Sequence, residues 1–380
     1  MRVCLLYDCL FPYTVGGAER WYRNLGKRLV EAGHEVDYLT LRQWDGPREL
    51  ELDGMRVRAV GPRMALYTGD GRRRILPPLV YGAGVLWRLL VGRRRYDVVH
   101  TASFPYFSLL AAALARIPHR FGLVVDWHEV WSREYWREYL GRAGGWVGWT
   151  VQRLCARIRH RAFCFSRLHA NRLRDEGFAG EPIVLQGEYA GPLEPEEPVT
   201  PEPVAVFAGR HIPEKRAPLM VMAYERARRQ MPELRCEIYG DGPDRPEVVR
   251  LIGELGLGGA VDAPGFVAPE RLEEALRGAL CMVLPSRREG YGMVVIEAAS
   301  KGTPSVLVAD PDNAAVELID EGRNGFVAPS ASPDEVAAAI LRVRDGGQAL
   351  RESTARWFGE NARRLSLENS LERVVESYGR

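Results

Sequence analysis

Two stretches decide the fold: Val204-Ala205-Val206-Phe207-Ala208, closed by Gly209-Arg210, and Leu280-Cys281-Met282-Val283-Leu284, which leads through Pro285 to Gly292 into Met293-Val294-Val295-Ile296-Glu297. Each begins as an apolar run too short for a helix and bounded by turn residues, which reads as a buried parallel strand. The second run continues into a helical pattern from Met293 to Lys301, with Gly302 as its stop. A buried strand feeding a loop and then a helix is the repeating unit of a parallel α/β sheet.

The same alternation runs outward in both directions. Arg2 to Tyr7 reads as a strand, Gly17 to Ala32 as a helix with Trp21, Leu25, Leu29 and Val30 on its apolar positions, and Glu35 to Thr40 as the next strand. Val98-Val99 and Phe121 to Val125 follow. Further strands are expected near Arg235 to Tyr239, Ala260 to Ala263, Cys281 to Leu284 and Ser305 to Val308. A chain of 380 residues can bury two cores. Pro192, Pro195, Pro198, Pro201 and Pro203 break any periodic structure among acidic residues, so the expected division is a domain at 1–187, a linker at 188–203 and a second domain at 204–363. The tail 364–380 is helical, with Leu371, Val374, Val375 and Tyr378 on one face; it either caps the second domain or crosses back to the first. No internal repeat of 20 to 50 residues is evident.

The loops carry the chemistry. Arg210 and Lys215 follow a strand at its carboxyl end, where open α/β sheets bind ligands, and a guanidinium fork with a mobile ammonium grips phosphate oxygens in complementary ways. The backbone amides of Gly290, Tyr291, Gly292 and Met293 lie at a helix start, which favours an anion. Glu289 precedes that turn and Glu297 lies within the helix, so a ligand touching both carboxylates must be extended. Carboxylates accept hydrogen bonds from paired hydroxyls. Taken singly, these residues also suit solvated loop cations, a cap partner and a surface glutamate. Together they suit a diphosphate at one end and polyols at the other, the shape of a sugar nucleotide.

Gly16-Gly17-Ala18-Glu19-Arg20, Gly209-Arg210 with Lys215, Gly240-Asp241-Gly242-Pro243 and the Glu-x7-Glu run from Glu289, in this order, resemble the retaining glycosyltransferases of family 4. The similarity extends to Glu317 and to the closing segment Phe358 to Tyr378. It implies a GT-B architecture, with two Rossmann-like domains whose parallel sheets face across a cleft, and a nucleotide-sugar donor bound mainly by the second. By position in the motifs, Arg210 and Lys215 would grip the diphosphate, Glu297 the ribose and Glu289 the hydroxyls of the transferred sugar. The amides of Gly290, Tyr291, Gly292 and Met293 would hold sugar and phosphate. His128, in Val124-Val125-Asp126-Trp127-His128-Glu129, matches a histidine beside the donor sugar, and Gly16 and Gly17 match a loop that closes over the reacting centre. His128 and Glu289 are thus the expected catalytic pair. The family's frequent Gly-Gly stretch before Glu317 is replaced here by Asp310-Pro311-Asp312-Asn313-Ala314-Ala315-Val316.

Charge is divided unevenly along the chain. Residues 1–190 hold 29 Lys+Arg against 19 Asp+Glu, a balance of +10; residues 191–380 hold 23 against 31, a balance of −8, which together give the net +2. Arg72-Arg73-Arg74 and Arg93-Arg94-Arg95 flank the apolar segment Pro77 to Gly92, which is too short to span a bilayer. A core helix with solvated ends is the expected reading, and an interfacial helix whose arginines meet anionic lipid is the competing one. The aromatic residues Tyr135, Trp136, Tyr139, Trp146 and Trp149 fit either an amphipathic rim or an acceptor cleft. No nucleic-acid module surrounds the arginines, so nucleic acid is not an expected partner. The six cysteines form no Cys-x-x-Cys pair and are expected as reduced core thiols; with no secretory leader, the chain is expected to be cytoplasmic, or peripheral on the cytoplasmic membrane face.

No metal or other cofactor is expected. Asp310-Pro311-Asp312 is a literal Asp-x-Asp string, but fixed cations and a helix start already supply positive charge, so it reads as a loop and cap. His211 reads as a solvated loop histidine. No covalent nucleophile stands out, which accords with same-face transfer, as usually proposed for retaining members, in which the departing diphosphate takes the acceptor's proton. The expected function is transfer of a hexose-type sugar from a nucleoside diphosphate to a cellular acceptor, lipid-linked or membrane-proximal if the interfacial reading holds. An epimerase or hydrolase of sugar nucleotides and a non-catalytic sugar-nucleotide-binding subunit are the alternatives. The base, the sugar, the acceptor and the oligomeric state are not encoded in any motif.

Overall fold

The computed structural model describes residues 1–14, 16–66, 68 and 73–379. It divides into two compact units, Met1–Gln186 with Glu368–Arg380, and Gly187–Leu367. The stretch read as a linker, 188–203, runs along the second unit: the Tyr189 amide donates to the Leu365 carbonyl (3.1 Å), the Leu367 amide donates back to Tyr189 (2.8 Å), and Glu196 pairs with Lys301.

In the first unit, strands β1 (Arg2–Leu6), β2 (Glu35–Leu41), β3 (Glu49–Leu52), β4 (Met55–Gly61), β5 (Val98–Ala102), β6 (Gly122–Trp127), β7 (Arg161–Cys164) and β8 (Ile183–Val184) form one sheet in the order β3-β4-β2-β1-β5-β6-β7-β8. All neighbours are parallel except the β3–β4 hairpin. Helices α1 (Gly17–Glu31), α2 (Leu76–Val91), α3 (Phe107–His119), α4 (Arg133–Arg157) and α5 (Arg167–Asp175) connect them. Serines start two of these helices: Ser132 Oγ accepts from the Tyr135 amide and Ser166 Oγ from the His169 amide (both 3.2 Å), each satisfying an otherwise orphaned donor. Arg72 lies outside the described residues. The other arginines of the two triplets behave unequally: Arg73 turns inward to pair with the fully buried Asp8, and Arg94 pairs with Asp37 and Glu35 (3.1 Å each), while Arg74, Arg93 and Arg95 are exposed.

In the second unit, β9 (Val204–Ala208), β10 (Arg235–Tyr239), β11 (Val261–Gly265), β12 (Cys281–Leu284), β14 (Ser305–Val308) and β16 (Gly325–Ala328) build an all-parallel sheet in the order β11-β10-β9-β12-β14-β16; β13 (Arg288–Glu289) and β15 (Asp312–Asn313) pair separately. Its helices are α6 (Ala217–Arg228), α7 (Arg245–Glu254), α8 (Pro269–Gly278), α9 (Met293–Ser300) and the long α10 (Pro333–Leu365), which kinks at Gly347; α11 (Leu367–Ser377) follows. Both faces of the sheet are covered. Ala205 and Phe207 point into one core with Met220, Tyr224 and Ile340, and Val206 and Ala208 into the other with Val295, Ile296 and Phe358. This two-sided burial is why the strands read as continuous apolar runs rather than as alternating ones. All six cysteines are free and buried, and burial pushes the thiols of Cys4, Cys9, Cys155, Cys164, Cys236 and Cys281 upward, away from the reactive thiolate.

Candidate active site

Strand order places the site. From β9 the chain moves outward first to β10 and β11 and then, after crossing back, to β12 and beyond. The loops after β9 and β12 therefore leave in opposite directions and open a crevice at the carboxyl edge of the sheet, the topological switch point of an open α/β fold. A cleft of about 430 Å³ lies there, with Gly209, Arg210, Lys215, Glu289, Gly292, Met293 and Glu297 in its lining.

Glycines let the loops approach. Gly240 sits at φ +116°, and a side chain there would place Cβ 1.9 Å from the Gly209 carbonyl oxygen; at Gly242 (φ +152°) it would meet the His211 carbonyl at 2.4 Å. The Gly-Asp-Gly string thus brings the β10 loop onto the Arg210 loop, and the His211 amide completes the contact by donating to Asp241 (2.9 Å). His211 itself is fully buried beneath this contact, not solvated as its loop position suggested, and burial with the neighbouring Arg245 pushes its pKa down. Gly292 adopts φ +101° at the start of α9, where an added Cβ would lie 2.6 Å from that of Ala315.

The charged groups are arranged for different tasks. Lys215 Nζ pairs with Glu289, whose Oε1 also accepts from Ser286 Oγ (2.7 Å); the glutamate is 7% exposed. Arg210, by contrast, is exposed and its guanidinium has no ion pair or hydrogen bond among the described residues, which leaves its donors available to a ligand. Glu297 is half-buried one turn into α9, on the same cleft. Gly290 and Tyr291 form the turn into α9; Tyr291 does not line the cleft but is buried in the core beside it. Asn313 anchors this turn from behind: its Nδ2 donates to the carbonyls of Ser286 (3.2 Å) and Val308 (2.9 Å), and its Oδ1 accepts from Ala315 (3.1 Å). Asp310 pairs with Arg216 (3.0 Å) and accepts from the Asp312 amide (3.3 Å). Among the described residues no group of three or more His, Cys, Asp or Glu could hold a metal ion.

Sequence reasoning missed the cleft's apolar wall of Phe266, Val267 and Leu272, with Tyr239 nearby. Phe266 is 75% exposed, an unusual setting for phenylalanine, and the signal for it was a glycine-ended strand followed directly by an aromatic residue. Ser286 was missed too, because its role appears only once Glu289 folds back onto it.

The remaining expected residues belong to the first unit. Gly16 is extended and precedes α1; a Cβ there would lie 2.4 Å from Glu19 Oε2, while Gly17 is open. One turn into α1, Trp21 Nε1 donates to Asp126 Oδ2 (2.7 Å) and Tyr22 meets the His128 ring edge-on (centroids 6.4 Å). His128 stacks on Phe165 with centroids 4.3 Å apart. Burial lowers its pKa, against the pull of Asp126 and Glu129, so the imidazole is neutral near pH 7. Asp126 is fully buried; burial alone would raise its pKa, but His100, whose Nε2 lies 2.8 Å away, together with His128 and the Trp21 donor, holds it below the usual carboxylate range. His100 Nδ1 in turn meets the Tyr378 hydroxyl at 2.5 Å. Neither His100 nor Tyr378 carried a motif that would have marked this network.

Residues 15–187 match the family model described as Glycosyltransferase Family 4, and residues 194–365 match that of Glycosyl transferases group 1. Among curated relatives, the chain is 34% identical to an alpha-D-kanosaminyltransferase of Streptomyces kanamyceticus over 40% of this chain and 39% of that one. It is 26% identical to an MMP alpha-(1->4)-mannosyltransferase of Mycolicibacterium hassiacum over 97% of this chain and 94% of the other. The match to the first of these thus spans about two fifths of the relative's length. Among solved structures, Anabaena HepE in complex with UDP superposes with a TM-score of 0.76 at 20% identity, covering 100% of both chains.

Proposed function

The chain belongs to the glycosyltransferases of group 1 and family 4, and on that premise we propose that it transfers a hexose-type sugar from a nucleoside diphosphate sugar to an acceptor, with retention of configuration. The observation that carries the reading is the division of labour in the second unit's cleft: an uncommitted Arg210 at the switch point, and a Glu289 held in place by Lys215 and Ser286. Arg210, Lys215 and the amides at the start of α9 bind the diphosphate and neutralise the charge that grows on it as the glycosidic bond breaks. Phe266 and Val267 offer an apolar face for a planar base, and Glu297 accepts from ribose hydroxyls. That HepE was solved with UDP supports a nucleoside diphosphate as the ligand class.

Glu289 is already engaged by a cation and a hydroxyl, which suits it to hold hydroxyls of the transferred sugar rather than to attack its anomeric carbon. His128, neutral near pH 7, acts as an orienting hydrogen-bond partner for the sugar, and the departing diphosphate takes the acceptor's proton on the same face. Because fixed cations and backbone dipoles supply the positive charge, transfer is metal-independent in this reading. The test is product formation from candidate UDP-, GDP- and ADP-sugars with and without acceptor, after exhaustive chelation. Transfer that survives chelation is expected. Loss of activity that magnesium or manganese restores would overturn metal independence, and donor turnover without acceptor would replace the transferase by a hydrolase or epimerase.

A further inference from the structure

Helix α2 is apolar on both of its faces. Pro77, Pro78, Tyr81, Val85 and Leu89 fill the core of the first unit. On the opposite side Leu76, Leu79, Trp87, Leu90 and Val91 recur at helical spacing and are 43–70% exposed. The neighbouring α3, which packs along α2, adds Leu114 (56%) and Ile117 (76%). With Ile75 this makes eight of the 19 exposed large hydrophobic side chains among the described residues, gathered on one pair of helices. Such a concentration marks an interaction surface, since scattered apolar residues are ordinary and contiguous ones are not.

Charge selects the partner. From 72 to 95 and from 107 to 120 the chain contains no aspartate or glutamate but nine arginines. Of these, Arg93 and Arg95 at the end of α2 and Arg120 at the end of α3 are exposed, as is Arg74 before α2. The next acidic residue, Asp97, is held by the Arg2 amide (2.7 Å). A second copy of this chain docking face to face would set arginines against arginines, as an isologous contact must. A surface that is apolar at its centre and anionic at its rim meets both features. We propose that the exposed face of α2 and α3 seats the protein on an anionic lipid bilayer, with Trp87, Leu90 and Leu79 in the acyl boundary and Arg93, Arg95 and Arg120 at the headgroups. No helix among the described residues is long and apolar enough to cross a membrane, so the contact is interfacial. This inference stands on the face alone and is read without donor or turnover.

The experiment is co-sedimentation of the full chain with phosphatidylcholine vesicles, with and without about a third phosphatidylglycerol, at salt of ~0.05 M and ~0.5 M. Binding is expected only to the anionic vesicles, weakening on the order of tenfold or more at the higher salt. Trp87→Ser with Leu90→Ser is expected to abolish it, and Arg93→Glu with Arg95→Glu to lower affinity on the order of tenfold or more. All four positions are exposed, and unchanged thermal unfolding confirms that the variants fold. The proposal is overturned if the unaltered chain ignores anionic vesicles at low salt, or if the Trp87→Ser, Leu90→Ser protein still binds them. It is also overturned if the chain dimerises without lipid and those same two changes dissolve the dimer.

Discussion

At the scale of single residues, the cleft separates groups that a motif lists side by side. Arg210 has no ion pair or hydrogen bond among the described residues, so replacing it is expected to remove only the proposed ligand contact. Arg210→Ala should weaken nucleoside diphosphate binding by about 1.5–3 kcal/mol, roughly tenfold or more, without lowering stability. Calorimetry that finds the diphosphate affinity unchanged would remove Arg210 from the site. Lys215 differs because Glu289 is buried against it: Lys215→Met leaves that carboxylate without its cation, and both affinity and thermal stability should fall. The two glutamates are expected to diverge as well. Glu297→Gln should weaken free diphosphate and intact donor alike, whereas Glu289→Gln should impair transfer and leave free diphosphate binding largely intact; equal losses of diphosphate affinity in both would contradict the assignment. In the sequence Arg210 and Lys215 stand out in the loop after a strand, and Glu289 and Glu297 on either side of a glycine turn into a helix. Their pairing was not legible, because the Lys215–Glu289 contact joins loops 74 positions apart.

At the scale of elements, legibility followed how local the deciding contacts are. The helix read as Met293 to Lys301 with Gly302 as its stop is α9, and its end is a Schellman motif: the Gly302 amide donates to Ala299 (3.0 Å) and the Thr303 amide to Ala298 (2.9 Å), with Gly302 at φ +72°. Strands β9, β10, β12 and β14 match their expected ranges: two-sided burial leaves β9 and β12 wholly apolar, and β10 and β14 carry polar residues only at Arg235, Glu237 and Ser305. The β3–β4 hairpin, β16 and the kinked α10 were not read, since Glu49–Leu52 is half exposed and α10 runs through Gly346 and Gly347 with its partners far away in the chain. Helix α2 fits neither of its two readings fully, as one apolar face is core and the other is bare. The start of β7 supports a prediction about pH. His160, just before β7, donates from Nδ1 to Ile158 (2.6 Å) and accepts at Nε2 from Trp127 Nε1 (3.0 Å), and burial lowers its pKa to about 4. The neutral ring is the folded form. The unfolded ring protonates near pH 6.5, so this stabilisation is complete above that pH and is lost as pH falls toward about 4. Thermal midpoints should decline across that window, and less steeply in His160→Gln; parallel pH profiles for the two proteins would refute it.

At the scale of the whole molecule, the segment Glu368–Arg380 belongs to the first unit through a buried polar chain rather than through packing alone. Tyr378 meets His100, His100 meets Asp126, and Asp126 holds Trp21 of α1 while lying two residues before His128. Each member is fully or almost fully buried, so each depends on its partner for the polar contact that water would otherwise supply. Tyr378→Phe keeps the ring and its apolar contacts but deprives His100 Nδ1 of its partner, a loss of about 1–3 kcal/mol. Eight of the nine tryptophans lie in the first unit, with Trp357 alone in the second, so intrinsic fluorescence during urea unfolding reports chiefly on the first. The Tyr378→Phe transition should shift to lower urea, while nucleoside diphosphate affinity, which the proposed function assigns to the second unit's cleft, should stay as it was. If transfer activity then falls at constant diphosphate affinity, the terminal segment acts through Asp126 on the position of His128. An unmoved fluorescence midpoint would mean that the Tyr378 hydroxyl is replaceable by water and that the network does not hold the segment in place.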